Sequence, residues 1–144
     1  MIRECTHQDL DRLLRLYTQL HDDPPSDPDG RARAVWQRIC SDPSHHVIVA
    51  DEGGELAASC VCVIIPNLTR GQRPYALIEN VVTARAFRRR GLGTACLAYA
   101  KQLAERENCY KLMLLTGSRE EATLRFYRRA GYNDRDKTAF IQWL

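Results

Sequence analysis

Residues 88–96 read RRRGLGTAC, three arginines and then two glycines one residue apart at the head of a helical pattern. Residue types in this order suit one chemical task, the holding of an anion. A turn that feeds a helix leaves backbone N–H groups without acceptors, and the helix dipole adds partial positive charge at the same end. Glycine lets the backbone come close to a phosphate or pyrophosphate. On these residues alone three readings stand side by side: a solvated basic turn, a nucleic-acid contact and a phosphate cradle. Two familiar phosphate loops are excluded. A Walker A loop needs Gly-Lys-Ser/Thr after four intervening residues, and a GxGxxG fingerprint needs glycine at position 96, which is Cys96. Glu79 also stands out, as an acidic residue inside the otherwise apolar stretch IENVV. A carboxylate buried there without a partner is costly, so the residue is either paired or functional.

The surrounding elements must position these groups. IRECT (2–6) reads as a first strand, and Thr6 with Asp9 forms a variant capping box for a helix over 7–20. Leu10, Leu13, Leu14, Tyr17 and Leu20 give that helix one apolar side. A second helix is expected over 30–41, with Ala34, Val35 and Ile39 inward. HHVIVADE (45–52) and LAASCVCVIIP (56–66) read as a hairpin closed by the turn EGGE, and YALIENVVT (75–83) as the next strand. A long helix over 91–107 follows, then KLMLLT (111–116), an apolar run of the kind covered on both faces. A helix over 119–130 ends at Gly131, and KTAFIQWL is expected to close the chain as a last strand. The order β-α-α-β-β-β-α-β-α-β implies an α+β (mixed α/β) fold: a central, mostly antiparallel twisted sheet flanked by about four helices.

The 144 residues are enough for a single domain, 1–144, with a buried core. Hydrophobic residues make up 44% and charged residues 27%, which points to neither disorder nor a membrane span. The charged N-terminus lacks the apolar core of a signal peptide, so a cytoplasmic location is expected. The net charge of +3 is too small to mark a nucleic-acid binder, and no nucleic-acid motif accompanies the arginines. Six cysteines, without a secretory signal or a CxxC pair, read as small core residues, and no metal site is expected.

The pattern Arg88-x-x-Gly91-x-Gly93, after IENVVT and before a long amphipathic helix, resembles the (Q/R)xxGx(G/A) signature of the GNAT superfamily of acetyl-CoA-dependent N-acetyltransferases. LRFYRRAGY (124–132) resembles that family's second signature, and the element order matches its fold. The resemblance implies acetyl-CoA as acyl donor, with its pyrophosphate on the backbone of Arg88, Arg89, Arg90, Gly91, Leu92, Gly93 and Thr94. Val81, Val82 and Thr83 would then pair with the pantetheine arm. It further implies Tyr127 as the general acid at the leaving sulfur. Glu79 would act as base or substrate contact, often through water, and a backbone N–H near Asn80 or Val81 would serve the oxyanion. The family often has Asn and Ala where this sequence has Glu120 and Thr123, which removes one expected cofactor contact.

The acceptor is expected to be the primary amine of a small molecule, bound between the 21–30 and 67–73 loops. Asp22, Asp23, Asp27 and Asp29 there read either as a solvated acidic turn or as groups that draw in a cationic amine. The alternatives are a protein N-terminal or lysine acetyltransferase and a catalytically silent acyl-CoA-binding module. Homodimerisation is common in the family, although no residue of this sequence demands it.

Overall fold

The computed structural model describes residues 1–21 and 30–144, so the four aspartates of the 21–30 loop lie outside the described residues. Alternating apolar residues build five strands: β1 (Ile2–Glu4), β2 (His45–Glu52), β3 (Glu55–Ile65), β4 (Tyr75–Thr83) and β5 (Leu112–Leu114). They lie in one sheet in chain order. The first three pairings are antiparallel, and β4 pairs with β5 in parallel. The EGGE turn forms as expected, with Gly53 and Gly54 at φ 64° and 93° between the paired Glu52 and Glu55. Four α-helices cover the described residues: α1 (Leu10–His21), α2 (Arg31–Ser41), α3 (Leu92–Arg106) and α4 (Glu121–Arg129).

The sheet separates two apolar clusters. Ile48, Ala50, Ala58, Cys60, Cys62, Ala76 and Ile78 face α3 and α4 with Cys96, Leu97 and Ala100. Val47, Val49, Val61 and Val82 face α1 and α2 with Leu13, Leu16 and Trp36. The first helix begins as the sequence predicts, with Thr6 and Asp9 capping each other across a 3₁₀ turn at His7–Asp9. All six cysteines are free, and Cys60, Cys62 and Cys96 are wholly buried. Burial pushes the thiols of Cys62 and Cys96 up to about 12, in keeping with apolar packing rather than reactivity.

Three expectations need correction. Ala34 and Val35 face solvent, and α2 instead buries Trp36, whose indole N–H donates to the His7 carbonyl at 3.1 Å. The indole brings more apolar surface than Val35 and finds a polar partner for its one donor. KLMLLT forms the sheet edge, half-buried over Leu112–Leu114 and exposed at Leu115 and Thr116, because no strand lies beyond β5 among the described residues. KTAFIQWL forms no strand at all: residues 137–144 carry no regular structure and are exposed throughout.

Candidate active site

The shape of the site begins with one extra residue in β4. Val61 pairs with Glu79 and Ser59 with Val82, so Asn80 and Val81 stand opposite Cys60 alone. This is a β-bulge, and Asn80 sits in it at φ 50°, a left-handed conformation that Asn tolerates better than most residues. The bulge reverses the alternation of side chains. Ala76 and Ile78 face the α3–α4 cluster, and after the bulge so does Val81, while Val82 turns to the opposite cluster. Glu79 and Asn80 are left exposed. Glu79 is therefore not the buried charge its apolar neighbours suggest, and it makes no ion pair among the described residues.

The parallel partner departs at the same point. β5 pairs with β4 only at Ala76, Leu77 and Ile78, so Glu79 to Thr83 have no strand beside them on that side. The result is a cleft between two diverging strands, with backbone hydrogen-bonding groups of β4 along one wall. The loop at its end carries RRRGLG. A 3₁₀ turn at Arg85–Phe87 leads into it, Arg89 takes φ 61°, and Gly91 caps α3 at φ 77° without any side-chain cap. The first helical bond recorded there runs from Ala95 N–H to the Gly91 carbonyl. Backbone amides from Arg89 to Thr94 donate to no acceptor among the described residues. These consecutive free donors, at the positive end of a fifteen-residue helix, fit an anionic phosphate group.

The arginine side chains contribute less than their number suggests. Arg90 is held by Glu52 at 2.8 Å and stacks over Phe87, and Arg88 Nε donates to the Thr83 carbonyl at 3.3 Å. Both heads fix the loop to the sheet, and the amides remain the free donors. Gly93 has a different task from Gly91. A Cβ there would lie 2.9 Å from Thr83 Oγ1 and 3.3 Å from the Phe126 ring, so only glycine lets α3 approach β4 and α4 this closely. Gly93→Ala is expected to lower stability by about 1–3 kcal/mol through overpacking. A urea titration would read this as a lower midpoint at unchanged slope. A wild-type midpoint would mean that the contact yields without cost.

Tyr127 closes the cleft from α4. It packs in the same cluster as Ile78, Cys60 and Val81, with Phe126 at 5.0 Å and Tyr132 at 6.4 Å between ring centres. Burial raises its hydroxyl above the ordinary tyrosine range, and the nearby Cys60 and Glu79 raise it further. A phenol so placed keeps its proton at neutral pH. Of the sequence-predicted residues, Val81 and Tyr127 pack in one cluster, Glu79 is exposed in β4, Thr83 meets Gly93 at the head of α3, and the Val82 side chain turns to the opposite cluster.

The structure also adds residues that the sequence pattern hides. Tyr17, read only as an apolar helix position, reaches the bulge from the opposite face of the sheet. Burial, partly offset by the Ser59 and Asn80 side chains, leaves its hydroxyl raised to about 12. Gln19 accepts a 2.8 Å hydrogen bond from the Arg85 N–H and so ties α1 to the anion loop. A tyrosine or glutamine on an amphipathic helix gives no sign of this, because its partners are remote in sequence. The 67–73 loop, expected beside the acceptor, is tied at Arg73 to the segment before β5. Arg73 donates to the carbonyls of Asn108 and Cys109 at 3.1 and 2.9 Å, at the end of β4 away from the cleft. A cavity of about 390 Å³ lined by Arg12, Arg15, Gln19, Gly54 and Ala84 likewise opens between α1 and the β2–β3 turn, not at Tyr127.

Compared with known proteins, residues 10–132 match the acetyltransferase (GNAT) family. Glucosamine 6-phosphate N-acetyltransferase of Trypanosoma brucei brucei is 28% identical over 145 residues, covering 94% of this chain and 90% of that protein. A solved structure from Agrobacterium tumefaciens str. C58, to which acetyltransferase activity is attributed, superimposes with a TM-score of 0.92. It is 38% identical, with 99% of each chain covered. Glucosamine-6-phosphate N-acetyltransferase from Arabidopsis thaliana shares the fold at a TM-score of 0.87 and 23% identity. That match covers 100% of this chain and 97% of that one.

Proposed function

The chain belongs to the acetyltransferase (GNAT) family, and on that premise we propose that it moves the acetyl group of acetyl-CoA to the primary amine of a small molecule by direct attack. One observation carries the cofactor part of this reading: the amides from Arg89 to Thr94 stand free at the end of a cleft whose β4 wall is also unpaired. A pyrophosphate on those amides would lay the pantetheine arm along Val81, Val82 and Thr83 and bring the thioester to the bulge. The glucosamine 6-phosphate N-acetyltransferase relative supports a small amine as acceptor.

In this reading the amine nitrogen bonds to the thioester carbonyl carbon as the carbon–sulfur bond breaks. Glu79, exposed beside the bulge, takes the amine proton, directly or through water. The N–H of Asn80 or Val81 holds the oxyanion as charge develops. Tyr127 gives its proton to the departing sulfur. No metal takes part in these steps.

Acetyl-CoA turnover across a panel of amines, followed by thiol release, tests the proposal. The panel should hold amino sugars, their phosphates, aminoglycosides, polyamines and lysine- or N-terminus-bearing peptides. Turnover with a small amine is expected. Turnover with peptides alone would replace the small-molecule reading by a protein acetyltransferase, and tight acetyl-CoA binding without any turnover would leave a silent binding module.

A further inference from the structure

The β4 bulge has a phenol on each side of the sheet, and the proposed chemistry uses only one of them. Tyr127 packs with Val81 and Cys60 on the α3–α4 face. Tyr17 packs with Leu16, Val61 and Val82 on the α1 face. Cross-strand partners share a face, so Glu79, opposite Val61, projects toward the α1 side as well. Ser59 lies two residues before Val61 in β3 and therefore on this same face. It is wholly buried, and its Oγ completes no hydrogen bond among the described residues. The Tyr17 hydroxyl stands beside this Oγ and beside the Asn80 side chain, close enough for each to favour the charged form of the phenol.

Asn80 is the residue that needs holding. A bulge leaves its extra residue outside the ladder, and this one sits at φ 50°. Asparagine tolerates a left-handed backbone best when its short side chain finds a partner. Among the described residues it is the Tyr17 hydroxyl, on a helix remote in sequence, that meets the Asn80 side chain. We propose that Tyr17 is a positioning residue of the acetyl transfer. Its hydroxyl holds the Asn80 side chain, keeps the bulge in its left-handed form and so fixes the direction of the Asn80 and Val81 N–H groups. This role rests on the reading of those N–H groups as oxyanion donors.

Two features favour an anchor over an ordinary packed tyrosine. A phenol that only fills space on an amphipathic helix turns its polar tip to water. Tyr17 brings its hydroxyl inward instead, where burial keeps it neutral. A neutral hydroxyl donates to an amide oxygen or accepts from an amide nitrogen, so it suits the Asn80 side chain in either orientation. The element that carries it is also fixed at both ends. Asp9 and Thr6 cap its start, with Arg3 and Arg12 on the Asp9 carboxylate, and Gln19 accepts from the Arg85 N–H near its end. Donors to a developing charge gain most when they are fixed before the charge appears.

Backbone NMR order parameters of the whole chain without substrates, beside steady-state kinetics with an amine that the panel identifies, test this. In Tyr17→Phe the order parameters of Asn80 and Val81 should fall, while those of Ala76, Leu77 and Ile78 stay at wild-type values. The same variant should lower kcat about tenfold, the scale of one lost hydrogen bond, with the amine KM and acetyl-CoA affinity unchanged. Glycine takes a positive φ without an anchor, so in an Asn80→Gly background Tyr17→Phe should change neither readout further. Unchanged order at Asn80 and Val81 in Tyr17→Phe overturns the anchor. So does an undiminished tenfold loss in the glycine background. A raised amine KM at wild-type kcat makes Tyr17 a substrate contact instead. Lowered order in Tyr17→Phe, with no thiol release from any amine by wild type, keeps the anchor and overturns its role in acetyl transfer.

Discussion

Tyr127→Phe is expected to lower acetyl-CoA turnover by about 10²–10⁴-fold, the usual worth of a positioned acid, while acetyl-CoA affinity and the unfolding temperature stay at wild-type values. The substitution removes one oxygen and keeps the ring that packs against Phe126 and Tyr132. No hydrogen bond from the fold contributes to the state of that hydroxyl, so its loss leaves no orphaned partner inside the protein. The phenol is protonated at neutral pH whether it packs or acts, so kinetics and not its protonation state distinguish the two roles. Steady-state kinetics with a saturating amine, beside direct titration of acetyl-CoA, would separate the two roles. Full turnover in the Phe variant would remove Tyr127 from the chemistry and leave it as part of the cleft wall.

Much of this arrangement is legible in the sequence because it rests on local rules. The Thr6–Asp9 capping box, the two-glycine hairpin turn and the glycine-headed helix α3 are each written within a few neighbouring residues, and all form as read. What escapes is whatever depends on a partner remote along the chain. Glu79 looks buried because its neighbours are apolar, but the bulge at Asn80 and the departure of β5 turn that stretch outward. Gly93 reads as an anion-loop glycine, yet its demand comes from Thr83 and Phe126. LMLLT and KTAFIQWL have strand composition, and one lies at an edge while the other joins no strand among the described residues. Composition states that a segment is suited to a strand; it does not supply the neighbour that would make it one.

The residue furthest from the cleft with the largest expected effect is Asp9. Its carboxylate is wholly buried and receives Arg3 at 2.7 and 3.0 Å, the side chain of Arg12, and the Thr6 N–H at 2.7 Å. Arg3 also reaches Asp51 at 2.6 Å, and Arg12 donates to the Gly54 carbonyl at 2.8 Å. One carboxylate thus joins β1, the start of α1 and the β2–β3 turn. Asp9→Ala is expected to cost about 3–5 kcal/mol, since it takes the buried carboxylate from two guanidinium groups, leaving them Asp51 and backbone carbonyls, and removes the helix cap together. For a chain of this length that lowers the unfolding temperature on the order of 10 °C. The pH dependence follows from the sign of the shift. The arginines and the Thr6 hydrogen bonds hold the folded carboxyl well below its ordinary range. Its stabilisation is therefore complete above pH about 4 and is lost as pH falls below that value. The gap in unfolding temperature between wild type and Asp9→Ala should stay constant from neutral pH down to about 5 and narrow in stronger acid; a gap that does not narrow would assign the effect to packing instead of charge. The same lock has a functional consequence. It fixes α1, and α1 carries Tyr17 to the bulge and Gln19 to the Arg85 amide. A loosened α1 withdraws support from both ends of the cleft, so the variant should also bind acetyl-CoA more weakly at temperatures where it is still folded.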